Sequence, residues 1–136
     1  MMDYSSSSLP PPFSIGVDIE TVQTIRELLE RHGDQFKQKV FTAAEIAYCQ
    51  GKKNELPSFA ARYAAKEATM KALKTGWDKG IQWKHIEIKK TDPVGFPTVV
   101  LHKKALELFT QQGFNGLDVS LSHSNDYVVA TVLLYR

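Results

Sequence analysis

Phe59-Ala60-Ala61-Arg62-Tyr63-Ala64-Ala65-Lys66-Glu67-Ala68-Thr69-Met70-Lys71-Ala72-Leu73 is the stretch that decides how this chain folds. It is rich in helix formers, and successive helical residues turn by about 100°. On that wheel Glu67 falls between Ala60, Tyr63 and Ala64, with Lys71 and Lys74 one and two turns further on. Alanine and aromatic residues line most of the remaining circumference, which predicts a largely buried helix. A carboxylate in such a place is costly unless a cation pairs with it. That cation is either Lys71, at the i,i+4 spacing, or a metal ion.

Strands and short helices flank this helix. Phe13, Ile15, Val17 and Ile19 alternate with Ser14, Gly16, Asp18 and Glu20, the period of a strand, so Asp18 is expected to face away from the apolar side. Val22, Ile25, Leu28 and Leu29 follow at helical spacing, with Gly33 as the stop. Thr42-Ala43-Ala44-Glu45 is a capping box opening a short helix through Tyr48. Residues 51–56 read as a polar loop, and Ser58 as the N-cap of the long helix. Strands are predicted over 83–90 and 98–102 around a turn at 91–95. A helix over 103–112 ends at Gly113, and a last hairpin pairs 117–122 with 127–135. Strands joined by hairpins with helices between them predict a single α+β domain over residues 13–136, mainly antiparallel sheet packed with one long central helix. Residues 1–12, with Ser5-Ser6-Ser7-Ser8 and Pro10-Pro11-Pro12, read as a flexible tail.

Composition excludes several classes. With 43 % hydrophobic and 24 % charged residues among 136, the chain can build an ordinary globular core. A formal net charge of +2 is too mild to argue for nucleic acid. Cys49 is the only cysteine, so no internal disulfide forms, which fits a reducing, cytoplasmic setting. No apolar run approaches the roughly 18 residues that span a bilayer, and no basic-then-apolar leader precedes the domain.

Three constellations carry possible chemistry. The first is Gly16-Val17-Asp18-Ile19-Glu20, where Asp18 is either a solvent-facing acid at a strand end or a metal ligand with glycine admitting close approach. The second is Arg62, Lys66, Glu67 and Lys71 on one helix, which reads either as surface-type ion pairing or as one carboxylate of a magnesium site needing a second carboxylate and phosphate oxygens. The third is Ser120-Leu121-Ser122-His123-Ser124, a strand end that can hold a phosphate or relay a proton. Adjacent Ser122 and His123 point to opposite faces, which argues against a serine hydrolase. No pattern brings a histidine to Cys49, which argues against a thiol nucleophile.

In this order the three motifs resemble those of the small bacterial holo-acyl-carrier-protein synthases, members of the 4′-phosphopantetheinyl transferases. Asn54-Glu55 and Gly95-Phe96-Pro97 match more loosely, and the similarity runs from Phe13 to Arg136. The resemblance implies transfer of the phosphopantetheine arm of coenzyme A to a serine of acyl carrier protein, releasing 3′,5′-ADP, in the cytoplasm and in the service of fatty acid biosynthesis. It implies that Asp18 and Glu67 bind Mg2+, that Lys71 sits by the pyrophosphate, and that Arg62, His123 and Ser124 hold the 3′-phosphate. Pro97 matches a residue lining the adenine. It further implies a homotrimer in which Arg62, His123 and Ser124 of one chain meet Asp18, Glu67 and Lys71 of the next. The chain departs from the pattern at Lys74-Thr75-Gly76, where the family usually has Gly-Thr-Gly, and at Phe96, where a basic residue is usual.

On this reading magnesium neutralises the diphosphate and Lys71 assists the leaving group. The sequence leaves Glu67 and a metal-bound water open as the base. The protein partner is an anionic carrier, for which Arg26, Arg31, Lys37 and Lys39 are the expected contact residues. A coenzyme A-binding protein without turnover and a magnesium-dependent phosphohydrolase remain as competing readings.

Overall fold

The computed structural model describes residues 11–91 and 95–136. The predicted tail therefore lies almost wholly outside the described residues, as does the middle of the 91–95 turn. The elements run β1 (Phe13–Thr21), α1 (Val22–His32), α2 (Asp34–Val40), α3 (Ala43–Gln50), α4 (Glu55–Ala72), β2 (Ile86–Thr91), β3 (Phe96–Leu101), α5 (Lys103–Gln111), β4 (Gly116–His123) and β5 (Tyr127–Tyr135). Short 3-10 turns at Trp77–Lys79 and Trp83–His85 join α4 to β2. One antiparallel sheet has the order β1-β5-β4, and β2 and β3 form a separate hairpin. The α+β class holds, with α4 packed across β1 and β5.

What lets α4 sit there is the polar half of β1. Ser14, Gly16 and Asp18 are buried beneath the helix. A Cβ on Gly16 would stand 2.0 Å from the Ala68 carbonyl oxygen and 2.6 Å from the Ala72 nitrogen, so only glycine admits the helix backbone. Ser14 Oγ donates to the Ala72 carbonyl at 2.6 Å, satisfying one of the orphan acceptors at the helix end. The alternation in β1 is therefore real, but its apolar half is the outer one. Phe13, Ile15, Val17 and Ile19 are 55 %, 58 %, 56 % and 61 % exposed. Asp18 does face away from the apolar side, yet it is a buried acid and not a solvent-facing one.

Other expectations shift by a few residues. The long helix begins at Glu55 with Asn54 as N-cap, not at Ser58, because Pro57 falls in the first turn, where a missing N–H goes unused. The Thr42 capping box forms as read, and Gly33 caps α1. Residues 83–85 turn before the strand begins at Ile86. Lys74 takes φ 57 just past α4, a left-handed conformation costing a non-glycine residue roughly 1–2 kcal/mol.

Lys66 is fully buried and belongs to the scaffold. Its ammonium pairs with Glu45 at 2.9 Å and donates to the carbonyls of Trp83 and Ile86. Glu45 also accepts from the backbone N–H of Ile88 at 2.9 Å and of Thr42 at 2.8 Å. Burial pulls the Lys66 ammonium down, and the Glu45 charge opposes that. The pair ties α3, α4 and β2 together.

Candidate active site

Successive residues of α4 part to two flanks. Arg62 and Glu67 lie five residues apart, about 140° around the axis, and they face different neighbours.

The acid flank meets β1. Lys71 Nζ donates to Asp18 Oδ1 at 3.0 Å. The expected Glu67–Lys71 pairing is thus replaced: Lys71 reaches across to the strand, and Glu67 Oε1 instead accepts from Trp77 Nε1 at 3.1 Å. The Trp77 ring stacks on Trp83 at 3.9 Å between centroids, and Trp83 stacks on Tyr63 at 4.9 Å, which fixes the indole that holds Glu67. Burial raises Glu67 above its ordinary range; the indole hydrogen bond and Lys71 counter this, and the Asp18 charge adds to it. Tyr63 is pushed up to about 12 by burial and then by the charges of Glu67, Glu20 and Asp18.

Glu20 joins this cluster, and its role was not read from the sequence. It lies two residues beyond Asp18 and so on the same strand face. Burial, a hydrogen bond to Asp18 and the charges of Asp18 and Glu67 raise it from 4.5 to about 7, with Lys71 opposing. A carboxyl donates to Asp18 only while it carries a proton. Period 2 within Gly16-Val17-Asp18-Ile19-Glu20 was the available signal.

The cluster fits a hard divalent cation. Asp18 Oδ2 is buried with no hydrogen-bond donor among the described residues, and three carboxylates crowd around a single lysine. Yet no three Asp, Glu, His or Cys side chains among the described residues are arranged to cage a metal unaided. Magnesium commonly takes one or two carboxylates and completes its shell with water and substrate phosphate, which suits Asp18 and Glu67.

The basic flank meets α3. Arg62 is buried, stacks over the Tyr48 ring at 4.1 Å and donates to the Ser58 carbonyl at 3.4 Å, while its Nε has no acceptor among the described residues. Lys52 and Lys90 stand 4.6 Å and 5.7 Å from the same ring. Against the upward pull of burial, hydrogen bonds from Lys90 and Lys52 lower the Tyr48 phenol. Pro97 pairs directly opposite Lys90 across the hairpin, which brings it beside this cluster. Tyr48, Lys52 and Lys90 escaped sequence reasoning because three separate elements supply them.

His123 and Ser124 sit at the far end of β4, both exposed. Glu20, Val128 and His123 lie in one row across β1, β5 and β4, so two strand spacings, about 10 Å, separate the backbones of Glu20 and His123. Ser124 Oγ accepts from the N–H groups of Asp126 and Tyr127 at 3.4 and 3.3 Å. One chain therefore assembles Asp18, Glu20, Glu67 and Lys71, and separately Arg62 with Tyr48, Lys52 and Lys90, Pro97 standing across the hairpin from Lys90. It does not join the two groups. Cys49 is buried, and burial pushes its thiol up to about 11, which removes it as a nucleophile.

The fold, a long helix laid over an antiparallel sheet, is shared with known proteins. The sequence pattern of the 4′-phosphopantetheinyl transferase superfamily matches residues 14–132, and the chain belongs to that family. A holo-acyl-carrier-protein synthase of Koribacter versatilis (strain Ellin345) is 44 % identical over 119 residues, covering 88 % of this chain and 94 % of the relative. The crystal structure of the holo-acyl-carrier-protein synthase of Neisseria meningitidis superposes with a TM-score of 0.81 at 28 % identity, covering 90 % of this chain and 98 % of the other. The corresponding Helicobacter pylori enzyme, solved in complex with coenzyme A, gives 0.77 at 30 % identity over 88 % and 98 %. Within the family the chain is an enzyme of the holo-acyl-carrier-protein synthase type.

Proposed function

We propose that this enzyme transfers the 4′-phosphopantetheine arm of coenzyme A to a serine of apo acyl carrier protein, releasing 3′,5′-ADP, with Mg2+ held by Asp18 and Glu67. The observation carrying this reading is the buried, donorless Oδ2 of Asp18 on β1, with the Glu67 carboxylate of α4 near enough for the Asp18 charge to raise it. The names of the relatives, and the coenzyme A bound by the Helicobacter pylori neighbour, supply the substrate pair.

Magnesium bound there supplies Lewis-acid charge stabilisation to the diphosphate of coenzyme A. Lys71, half exposed and already within reach of the cluster, donates to the departing phosphate. Glu67 is oriented by Trp77 and raised above its ordinary range by burial, which suits it to take the proton of the incoming serine hydroxyl. Glu20 adds a third carboxylate to the same pocket. Arg62, with Lys52 and Lys90 around Tyr48, offers positive charge to the 3′-phosphate, Pro97 a wall for the adenine, and His123 and Ser124 further donors.

We infer that these halves meet between chains of a homotrimer. Supporting this, the outer face of the β1-β5-β4 sheet carries Phe13, Ile15, Val17, Ile19, Leu133 and Tyr135, all exposed, and a contiguous apolar sheet face needs a cover. Arg26 and Arg31 on α1 are exposed, and Lys39 lies beside Leu28 and Phe36 in a cleft of about 340 Å³, a basic and apolar surface suited to an anionic carrier protein. No helix among the described residues is long and apolar enough to cross a membrane, and the buried free thiol of Cys49 suits the cytoplasm.

The deciding experiment mixes apo acyl carrier protein, coenzyme A and magnesium with the enzyme and reads the carrier by mass spectrometry. Gain of the phosphopantetheine arm supports the proposal. Coenzyme A bound without product, or hydrolysed without carrier, would replace it with a binding protein or a phosphohydrolase.

A further inference from the structure

Arg62 carries a buried charge with no anion to meet it. It is 4 % exposed, and no carboxylate among the described residues pairs with it. The acids of α3 and of the start of α4, Glu45 and Glu55, are taken up by Lys66 at 2.9 Å and by Lys37 at 3.9 Å. Among the described residues its one hydrogen bond is long, from Nη1 to the Ser58 carbonyl at 3.4 Å, and its Nε has no acceptor. A buried guanidinium matched so thinly is costly. What faces it is the Tyr48 ring, whose centroid lies 4.1 Å from the guanidinium carbon.

Tyr48 gathers two more cations. Lys52, in the loop after α3, stands 4.6 Å from the ring centroid, and Lys90, on β2, stands 5.7 Å from it. Both lie within reach of the phenol oxygen and, against the upward pull of burial, lower the phenol. Cations from α4, a loop and β2 thus converge on a single half-buried side chain of α3. The electron-rich ring face offsets part of their mutual repulsion. Lys52 and Lys90 are exposed, so an anion can enter from solvent. Stacking also differs from an ion pair in what it leaves over. It occupies the face of the guanidinium and spares the N–H groups along its edge, which a carboxylate would consume.

We propose that Tyr48 is a positioning residue for nucleotide recognition: its ring seats Arg62 and gathers Lys52 and Lys90, and this arrangement distinguishes coenzyme A from dephospho-coenzyme A. The inference rests on the reading that Arg62 meets the 3′-phosphate, and it adds the residue that makes that contact selective. Tyr48 touches no reacting atom. A phosphate dianion relieves the positive charges of Arg62, Lys52 and Lys90 together, whereas the free 3′-hydroxyl of dephospho-coenzyme A relieves none. The two ligands are otherwise the same and share the diphosphate assigned to the Asp18, Glu67 and Lys71 cluster.

Isothermal titration of the enzyme with each ligand, in magnesium and without carrier protein, tests this. The parent should bind coenzyme A more tightly than dephospho-coenzyme A by about tenfold or more, the scale of one charge-assisted hydrogen bond. Tyr48→Leu removes the seat and should weaken coenzyme A about tenfold and dephospho-coenzyme A less than about twofold. Tyr48→Phe keeps the ring and should lose no more than about threefold of the ratio. In steady-state transfer the Tyr48→Leu loss should fall on KM for coenzyme A, with kcat kept. An undiminished ratio in Tyr48→Leu, or equal losses for the two ligands, would make Tyr48 a packing residue and overturn the inference while leaving Arg62 at the phosphate. A ratio in Tyr48→Phe as low as in Tyr48→Leu would overturn the ring as the seat. A parent without preference for coenzyme A would overturn the 3′-phosphate reading of Arg62 along with it, while transfer of the arm to carrier protein would stand.

Discussion

Trp77 Nε1 donates to Glu67 Oε1 at 3.1 Å, and this bond ties the loop after α4 to the acid we propose as metal ligand and base. The indole cannot swing away freely, because Trp83 and Tyr63 continue its stack. Trp77→Phe keeps the stack and removes the donor. We expect kcat to fall about tenfold, the scale of one hydrogen bond to a charged group, with KM for coenzyme A little changed. Steady-state kinetics beside a circular dichroism melt would check this; unchanged kcat would leave Trp77 a packing residue.

Asp18→Asn and Glu67→Gln should each lower turnover by about 10²-fold or more, the range for a positioned base or a charge-stabilising group. Neither should unfold the protein. Without magnesium, either substitution relieves the crowding of like charges that raises Glu20, so melting temperatures in EDTA should hold or rise.

Stability should depend on pH in a direction fixed by that crowding. A carboxyl raised from 4.5 to about 7 binds more protons folded than unfolded between those values. Metal-free protein should therefore lose stability as pH rises from about 4.5 through about 7. Glu67, raised as well, adds to the same slope. Magnesium should flatten it by favouring the ionised acids, and Glu20→Gln should reduce it without metal. Urea denaturation across this range, with and without Mg2+, reads both effects.

The scaffold makes a separate prediction. Lys66→Met strands the Glu45 carboxylate at 2 % exposure, and breaking a buried pair from one side typically costs about 3–5 kcal/mol. Gly16→Ala sets a methyl against the Ala68 carbonyl and should force α4 off the sheet. Denaturant melts should show both losses, with activity falling further in Gly16→Ala because Asp18 and Glu67 lie at the displaced seam.

The outer sheet face tests the assembly. Val17→Glu places a charge in the middle of the exposed apolar row without touching α4. Light scattering after size exclusion should show trimers become monomers, and transfer activity should fall with them if the basic and acid halves come from different chains. A monomeric parent would contradict the shared site.

Much of this was legible because it is periodic. The helical wheel around Glu67 and the alternation in β1, β2, β4 and β5 set the α+β class, and a glycine and two acids set the seam. Alternation alone could not say which face of β1 the helix would take. Gly16 decides that, through a backbone contact no pattern of hydrophobicity expresses. Helix α2 was missed because its seven residues have no capping side chain; Phe36 packing against Phe41 and Tyr63 holds it in place. Lys71 pairs with Asp18 and not Glu67 because the nearer partner in sequence was already bonded to Trp77, 10 residues away.

Mn2+ binding followed by electron paramagnetic resonance in the presence of coenzyme A tests the central claim most directly, since that claim is one cation shared by two acids. The account predicts one tight ion per chain in the parent enzyme and its loss in both Asp18→Asn and Glu67→Gln. Parent-like affinity in either variant would contradict it.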